Sequence, residues 1–279
     1  MEVLIFENEA EVADQGALLV SELVKKKPDA VLGLATGKSP ILLYQNLIEY
    51  YKRGQISFKQ IQTFNLDEYY GVPRTHPASY RQFMQTYLFD HIDIEVDNTY
   101  LPESAGSNPR LVGPKYEAQI KASGGIDLQI LGIGRNGHIG FNEPSSSLAS
   151  RTRIKTLTES TINDNRLLQE DIEMPDMAIT MGIGTIMDAH RILLFATGEN
   201  KSKAVKAALE GPISAMSPAS ALQAHEYVTV LLDEAAASEL ELQAYYRWVH
   251  SKSKGIKAKY GNFYEIDLTI DSTIDLTED

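Results

Sequence analysis

The segment Leu131-Gly132-Ile133-Gly134-Arg135-Asn136-Gly137-His138-Ile139-Gly140-Phe141-Asn142-Glu143-Pro144 decides how this chain is read. An apolar run, Ile126 to Ile133, enters it, and glycines then turn the chain tightly. His138 and Glu143 follow within a few residues, a pairing suited to proton transfer near neutral pH. The stretch from Gly132 to Gly137 also fits the G-x-G-x-x-G pattern of dinucleotide sites. That pattern needs a helix to open at once, so that its amides meet a pyrophosphate. Here Pro144 and three serines come too soon for a long helix, and Gly140 and Asn142 weaken it further. No strand ending in an acidic residue follows at the expected distance, so the nicotinamide reading is set aside. A plain strand-to-loop turn carrying a surface histidine remains as the simpler alternative.

Outward from this segment, short β-rich runs alternate with helical patterns. Strands are expected at Val3–Phe6, Ala30–Ala35, Gln62–Leu66, Ile126–Ile133, Ala178–Met181, Arg191–Ala196 and Val228–Leu232. Helices are expected at Glu9–Lys27, Ile41–Lys52, Ser79–Phe89, Gly113–Ser123, Lys201–Leu209 and Ala235–His250. Such alternation predicts an α/β fold with a mostly parallel sheet and helices on both faces. Ligands of such sheets bind beyond the carboxyl ends of strands, which directs attention to the loops that follow them.

The chain has 279 residues, 43% of them hydrophobic, enough for one large α/β domain. A net charge of -12 argues against nucleic acid as the main partner, although a few local cations suffice for a small anion. With no cysteine there is neither a disulfide nor a thiolate metal site. The acidic N-terminal segment does not read as a secretory signal, and no apolar run reaches membrane-spanning length. A cytoplasmic protein with no membrane association is expected. The α/β domain is expected to span residues 1–251, followed by a basic-then-acidic tail, 252–279. Ile266-Asp-Leu-Thr, Ile270-Asp-Ser-Thr and Ile274-Asp-Leu-Thr repeat loosely there. A solvated, flexible tail is the favoured expectation, with an added edge strand or pairing to a partner as the alternative.

Four loops after strands carry polar chemistry. Thr36-Gly37-Lys38-Ser39-Pro40 joins a strand to a helix, with Pro40 expected at the first helical position. Exposed amides and two hydroxyls at a helix start attract phosphate. Lys38 points the same way, because a cation there opposes the helix dipole unless an anion is bound. Lys201 occupies a similar position in Thr197-Gly198-Glu199-Asn200-Lys201. Asp67 and Glu68 end the third strand; successive extended residues point opposite ways, so only one is expected to face a site. Asp67 is the better candidate base, but periodicity alone does not choose it. In the fourth loop, Glu143 can orient the His138 ring or raise its basicity. The other five histidines show no metal-ligand spacing.

Together these loops resemble the glucosamine-6-phosphate deaminase (isomerase) family over roughly Met1 to His250. The resemblance rests on Gly33–Pro40, Phe64–Tyr69, His76–Tyr80, Gly132–Pro144, Ser150–Lys155 and Thr180–Thr185. It implies a Rossmann-like open sheet and conversion of D-glucosamine 6-phosphate and water to D-fructose 6-phosphate and ammonium, with no metal or organic cofactor. It makes Asp67 the base that moves a proton between carbons 2 and 1 of the open-chain sugar. His138 transfers the proton that opens the pyranose ring, and Glu143 belongs to its relay. Thr36, Gly37, Lys38, Ser39, Arg166 and Lys201 fall on positions that hold the phosphate. Two residues depart from the family pattern. Asn136 stands where many members carry Asp, leaving Glu143 alone to stabilise a charged His138. Lys38 replaces a small residue and is expected to tighten phosphate binding.

Ser146, Arg153, Lys155 and Thr156 match positions that bind N-acetylglucosamine 6-phosphate between subunits in allosteric members. Arg247 replaces a tyrosine of that site, so the regulatory site is expected to be incomplete, or the cations purely structural. Members range from monomers to hexamers, which allows a homo-oligomer. Two other classes share the fold. The 6-phosphogluconolactonases resemble the histidine loop but usually lack the Phe141–Pro144 continuation and need no base like Asp67. Non-catalytic sugar-phosphate sensors normally bring a helix-turn-helix domain and lose catalytic residues. Deaminase ranks first, lactonase second and sensor third.

Overall fold

The structure is a computed structural model that describes residues 1–104, 108–157 and 175–260, the side chains of 254–260 aside. Its main sheet has seven parallel strands. They are β1 (Glu2–Phe6), β2 (Val31–Leu34), β3 (Gln62–Asn65), β5 (Thr99–Tyr100), β6 (Leu128–Leu131), β9 (Ile192–Ala196) and β10 (Val228–Asp233). Their order across the sheet is β1-β10-β9-β6-β2-β3-β5. Every residue of β2, β6 and β9 is buried, as expected of strands covered on both faces. From β2 the chain steps outward one way, through β3 to β5. From β6 it steps the other way, through β9 to β10. The switch point, where such folds open a crevice, therefore lies between β2 and β6.

Helices α1 (Glu9–Lys26) and α2 (Ile41–Lys52) follow β1 and β2 and pack against each other. Asn8 caps α1, its side chain accepting from the Glu11 amide. Pro40 takes the cap position of α2, one place earlier than expected, and α2 has no side-chain cap. Helix α3 (Tyr80–Tyr87) is capped by Ser79, and α4 (Pro109–Ala122) by Asn108 with Pro109 in its first turn. That start lies ahead of the expected Gly113, because the cap and the proline outweigh a weak apolar period.

A second, antiparallel sheet was not expected. It consists of β4 (Asp67–Tyr69), β8 (Met177–Thr180) and β7 (Arg153–Thr156), in that order. Leu66 joins the two sheets. Its amide donates to Leu34 of the parallel sheet at 2.9 Å, and its carbonyl accepts from Met181 beside β8 at 2.7 Å. Beneath the small sheet, Tyr69, Val72, Phe141, Leu157 and Ala178 form a core of their own, joined by Tyr80.

After β8 come α5 (Ile183–Met187) and, after β9, α6 (Ser202–Leu209). The expected final helix is two helices, α7 (Glu234–Ala237) and α8 (Gln243–Tyr260). The break between them is fixed from a distance. Glu210 accepts from the Glu241 and Leu242 amides at 2.8 and 2.9 Å and so starts α8 afresh. Helix α8 continues through Lys252 to Tyr260; residues 261–279 lie outside the described residues. Among the described residues no helix is long and apolar enough to cross a membrane.

Candidate active site

The four loops singled out in the sequence follow β9, β6, β2 and β3, which are adjacent in the sheet. Asp67 begins β4 immediately after the Leu66 junction and is buried. Burial raises its pKa to about 8, with the neighbouring Glu68 charge adding to the rise and a Thr36 hydrogen bond opposing it. Glu68 faces elsewhere. Its carboxylate accepts from the amides of Tyr69, Tyr80 and Arg81 at 2.8, 2.9 and 3.0 Å. It therefore binds the free amides at the start of α3. Glu68 is a structural cap, which leaves Asp67 as the carboxyl group turned toward the post-strand loops.

The loop after β6 lies over Asp67 at Gly140. This residue has φ +54°, and a β-carbon placed on it would lie 3.5 Å from Asp67 Oδ2 and 2.8 Å from Thr180 Oγ1. Five contacts fix the loop. The Phe141 amide donates to Thr180 Oγ1 at 3.0 Å. Asn142 donates to the carbonyls of Ile139 and Met181 at 2.9 and 2.8 Å and accepts from Arg153 at 2.7 Å. The Phe141 ring lies parallel to that of Tyr80, 6.1 Å away. Thr180 pairs with both Asp67 and Arg153 in register, so the small sheet aligns the candidate base with the side chain that anchors the loop.

His138 projects from this loop with its side chain 23% exposed, whereas the Glu143 side chain is only 7% exposed. His138 Nδ1 lies 3.4 Å from Glu143 Oε2. Asn136 donates to that same oxygen at 2.6 Å, and its carbonyl accepts from the His138 amide at 3.2 Å. Thus Asn136 does not bond the imidazole; it fixes the carboxylate that faces it. The ring lies so close over Gly134 that a β-carbon there would overlap it. Gly134→Ala should therefore displace the imidazole and lower kcat by about 10²-fold, the scale expected for a displacement of about 1 Å. The thermal midpoint should barely move; unchanged kcat would show that the ring's position is not critical.

The phosphate candidates are placed unevenly. Thr36 directs its hydroxyl at Asp67 and Tyr80. Gly37 and Ser39 are partly exposed, and Lys38 is exposed beside the uncapped start of α2. Lys201, partly buried at the cap position of α6, donates to the Ile133 carbonyl at 2.8 Å. This ties it to the histidine loop. Arg166 lies outside the described residues. Of the candidate regulatory residues, Ser146 is buried, Arg153 is engaged with Asn142, Lys155 is partly buried and Thr156 exposed. Arg247 of α8 pairs with Glu234 at 2.5 Å. The sequence reading gave no role to Tyr80 or Thr180. Both fall in motifs of the resemblance; strand register sets Thr180 opposite Asp67, and the Thr36 hydroxyl that reaches Asp67 also reaches Tyr80.

Residues 7–231 match the family model described as glucosamine-6-phosphate isomerases/6-phosphogluconolactonase. The glucosamine-6-phosphate deaminase of Hahella chejuensis is 56% identical over 261 residues, covering 93% of this chain and 100% of that relative. That of Shewanella woodyi is 54% identical over 260 residues, covering 93% and 98%. A solved structure of a monomeric glucosamine-6-phosphate deaminase superposes with TM-score 0.84 at 43% identity, covering 86% of this chain and 100% of the other. The Trypanosoma brucei 6-phosphogluconolactonase superposes with TM-score 0.70 at 19% identity, covering 86% and 98%; this likeness concerns the fold alone.

Proposed function

From the premise that the chain belongs to the glucosamine-6-phosphate isomerase/6-phosphogluconolactonase family, we propose that it deaminates D-glucosamine 6-phosphate. Water is the second substrate, and D-fructose 6-phosphate and ammonium are the products. The observation that carries this reading is Asp67, a buried carboxyl of raised pKa beside the loop that holds His138 against Glu143. A lactonase hydrolyses an ester and has no carbon acid to deprotonate. A base of this kind suits an aldose-ketose isomerisation, in which a proton must leave carbon 2.

In the proposed sequence, His138 takes the proton of the anomeric hydroxyl and returns one to the ring oxygen, opening the pyranose. Glu143, oriented by Asn136, stabilises the imidazolium between the two transfers. Asp67 then removes the proton from carbon 2 of the aldehyde and delivers it to carbon 1. The C2–H bond is exchanged for a C1–H bond, a proton passes from the ammonium group to the carbon 1 oxygen, which becomes a hydroxyl, and the nitrogen is left on carbon 2 as an iminium. Water adds to carbon 2, and ammonium leaves as the ketone forms. The loop amides of Gly37, Lys38 and Ser39, with Thr36, Arg166 and Lys201, are the proposed phosphate seat. Anchoring the phosphate holds carbons 1 and 2 in register with Asp67. Lys38→Ala should raise KM several-fold with little change in kcat. A KM equal to that of the parent would remove Lys38 from the seat.

The substrate is an ionised sugar phosphate that membranes retain, so the proposed compartment is the cytoplasm. One contact supports a regulatory role for Ser146, Arg153, Lys155 and Thr156: Arg153 holds Asn142, and Asn142 fixes the histidine loop. An anion such as N-acetylglucosamine 6-phosphate at Arg153 would act on the loop through Asn142. A velocity curve that is hyperbolic and unmoved by that compound would dispose of this role.

The deciding assay follows ammonium and fructose 6-phosphate together in chelator-treated enzyme supplied with glucosamine 6-phosphate. Equal release of both is expected, and its loss in Asp67→Asn. No turnover, or ammonium without the ketose, would overturn the assignment.

A further inference from the structure

We propose that Ser220 is a positioning residue: it closes the turn Ser214–Ser217, and that turn sets the separation of His138 and Glu143. The proposal rests on the deaminase reading of the site. The turn and the short helix that follows it meet the histidine loop on both sides of the pair. Before His138, the Gly137 carbonyl accepts from the Ala219 amide at 2.9 Å. After Glu143, the Ser145 amide donates to the Ala215 carbonyl at 2.8 Å. Both members of the proton relay lie between these two bonds. The small sheet holds the same loop at its middle, through Phe141 and Asn142.

The loop needs holding at both places. Among the described residues Ser145 is the one non-glycine at positive φ, +75°. A side chain disfavours that region, so the conformation persists only while its surroundings over-determine it. The Ser146 amide donates to the Glu143 carbonyl at 3.0 Å, so a relaxation of Ser145 passes directly to Glu143. On the other side Gly137 has φ +85°, and a β-carbon on it would lie 3.0 Å from Ser217 Oγ. The turn itself is closed by Ser220, which is fully buried in the 3₁₀ helix Pro218–Ala224. The Ser220 hydroxyl accepts from the Ser214 amide at 2.8 Å and donates to the Ser214 carbonyl at 3.2 Å. The Ser217 amide donates to that carbonyl as well, at 3.0 Å. The helix is fixed in turn. Ala219 and Leu222 belong to the main core, and Gln223 donates to the carbonyls of Ala208 and Gly211 at the end of α6, each at 2.8 Å. One hydroxyl thus ties the geometry of the pair to the rigid body of the protein. It is spent within the turn, so Ser220 acts through the turn rather than on the substrate.

Ser220→Ala removes the closure and leaves every residue of the histidine loop in place. It should lower kcat about 10-fold, short of the roughly 10²-fold of a full 1 Å displacement, and leave KM within about twofold of the parent. In the Glu143→Gln background the same substitution should lower kcat no further, because the separation it controls no longer carries a charge. A role in stability alone would lower both backgrounds alike. Ala215→Gly loosens the turn without touching the core and should give the same pattern at smaller size. The ¹⁵N signals of the His138 ring, assigned by their loss in His138→Gln, should move in both variants, whether or not the chain turns over glucosamine 6-phosphate. A parent without that turnover would sink the deaminase reading, and the ring signals would then decide the role of the turn alone. Equal kcat in the parent and both variants, effects that multiply with Glu143→Gln, or unmoved ring signals would overturn the proposal.

Discussion

Asp67→Asn should abolish turnover and at the same time make the protein harder to unfold at pH 8 and above. The two effects share one cause. In the folded chain Asp67 keeps its proton until about pH 8, whereas an unfolded aspartate loses it near 3.8. Below the lower value both states are protonated and the group has no effect on stability. As pH rises between the two values, only the unfolded state gains by ionising, so folding becomes less favourable. Above about 8 the whole penalty of burying the charge is present, of the order of a few kcal/mol. Asparagine has no charge to bury, so the thermal midpoint of the variant should exceed that of the parent by about 5 °C or more at pH 8. Near pH 4 the two proteins should melt together. A variant no more stable at pH 8 than the parent would mean that Asp67 ionises without hindrance in the fold.

The same value shapes catalysis. The base must be ionised to act, so kcat/KM should rise with pH through a midpoint near 8, set by the free enzyme. Bound substrate brings an ammonium group next to the carbon being deprotonated. That positive charge favours the carboxylate, so the corresponding limb in kcat should lie at lower pH. A limb at the same pH in both profiles would argue that Asp67 does not sit beside carbon 2.

Glu143→Gln is expected to lower kcat by about 10² to 10³-fold, within the range of a lost acid-base relay. The geometry makes this a clean substitution. A glutamine carbonyl can still accept from Asn136, which now donates to Glu143 Oε2 at 2.6 Å. The loop should therefore keep its shape while the charge 3.4 Å from His138 Nδ1 is removed. Thermal stability should change little, and the fall should be in kcat rather than KM. An unaltered rate and pH profile would show that His138 works without the carboxylate. Asn136→Asp tests the same contact from the other side. Two carboxylates at that separation cannot both be ionised, so one must take up a proton.

Much of this was legible in the sequence because the main sheet is built around the fully buried strands β2, β6 and β9, with amphipathic helices between the strands. Strands β1, β2, β3, β6, β9 and β10 stand out as short apolar runs, and the loops after β2, β3, β6 and β9 hold the chemistry; β5, only two residues long, does not stand out. Of the small sheet only β8 was legible, as the run Ala178–Met181. The β4 strand is three residues long and directly follows another strand, so it shows no pattern of its own. Without β4, periodicity could not tell Asp67 from Glu68, and only the family resemblance pointed to Asp67. The distinction comes from Glu68 reaching the amides of Tyr80 and Arg81, a contact across a dozen residues of sequence. The break between α7 and α8 was hidden for a similar reason, since the carboxylate that restarts the helix belongs to Glu210. In the histidine loop, residue types did not show what Asn136 binds, whereas the turn aims its side-chain amide at Glu143. Local pattern specifies which residues are present, while long-range contacts determine which atoms meet.

The switch point between β2 and β6 also governs when activity can emerge during folding. Leu32 pairs with Leu128, and Gly33 with Gln129, across 96 positions of sequence. Closing so large a loop is entropically slow compared with forming helices or the nearby β2–β3 pair. Until that seam closes, Thr36 with Asp67 belongs to one nascent unit and His138 with Glu143 to another. After dilution from denaturant, helical signal should return before catalysis, and the lag between them should measure the time taken to join the two halves.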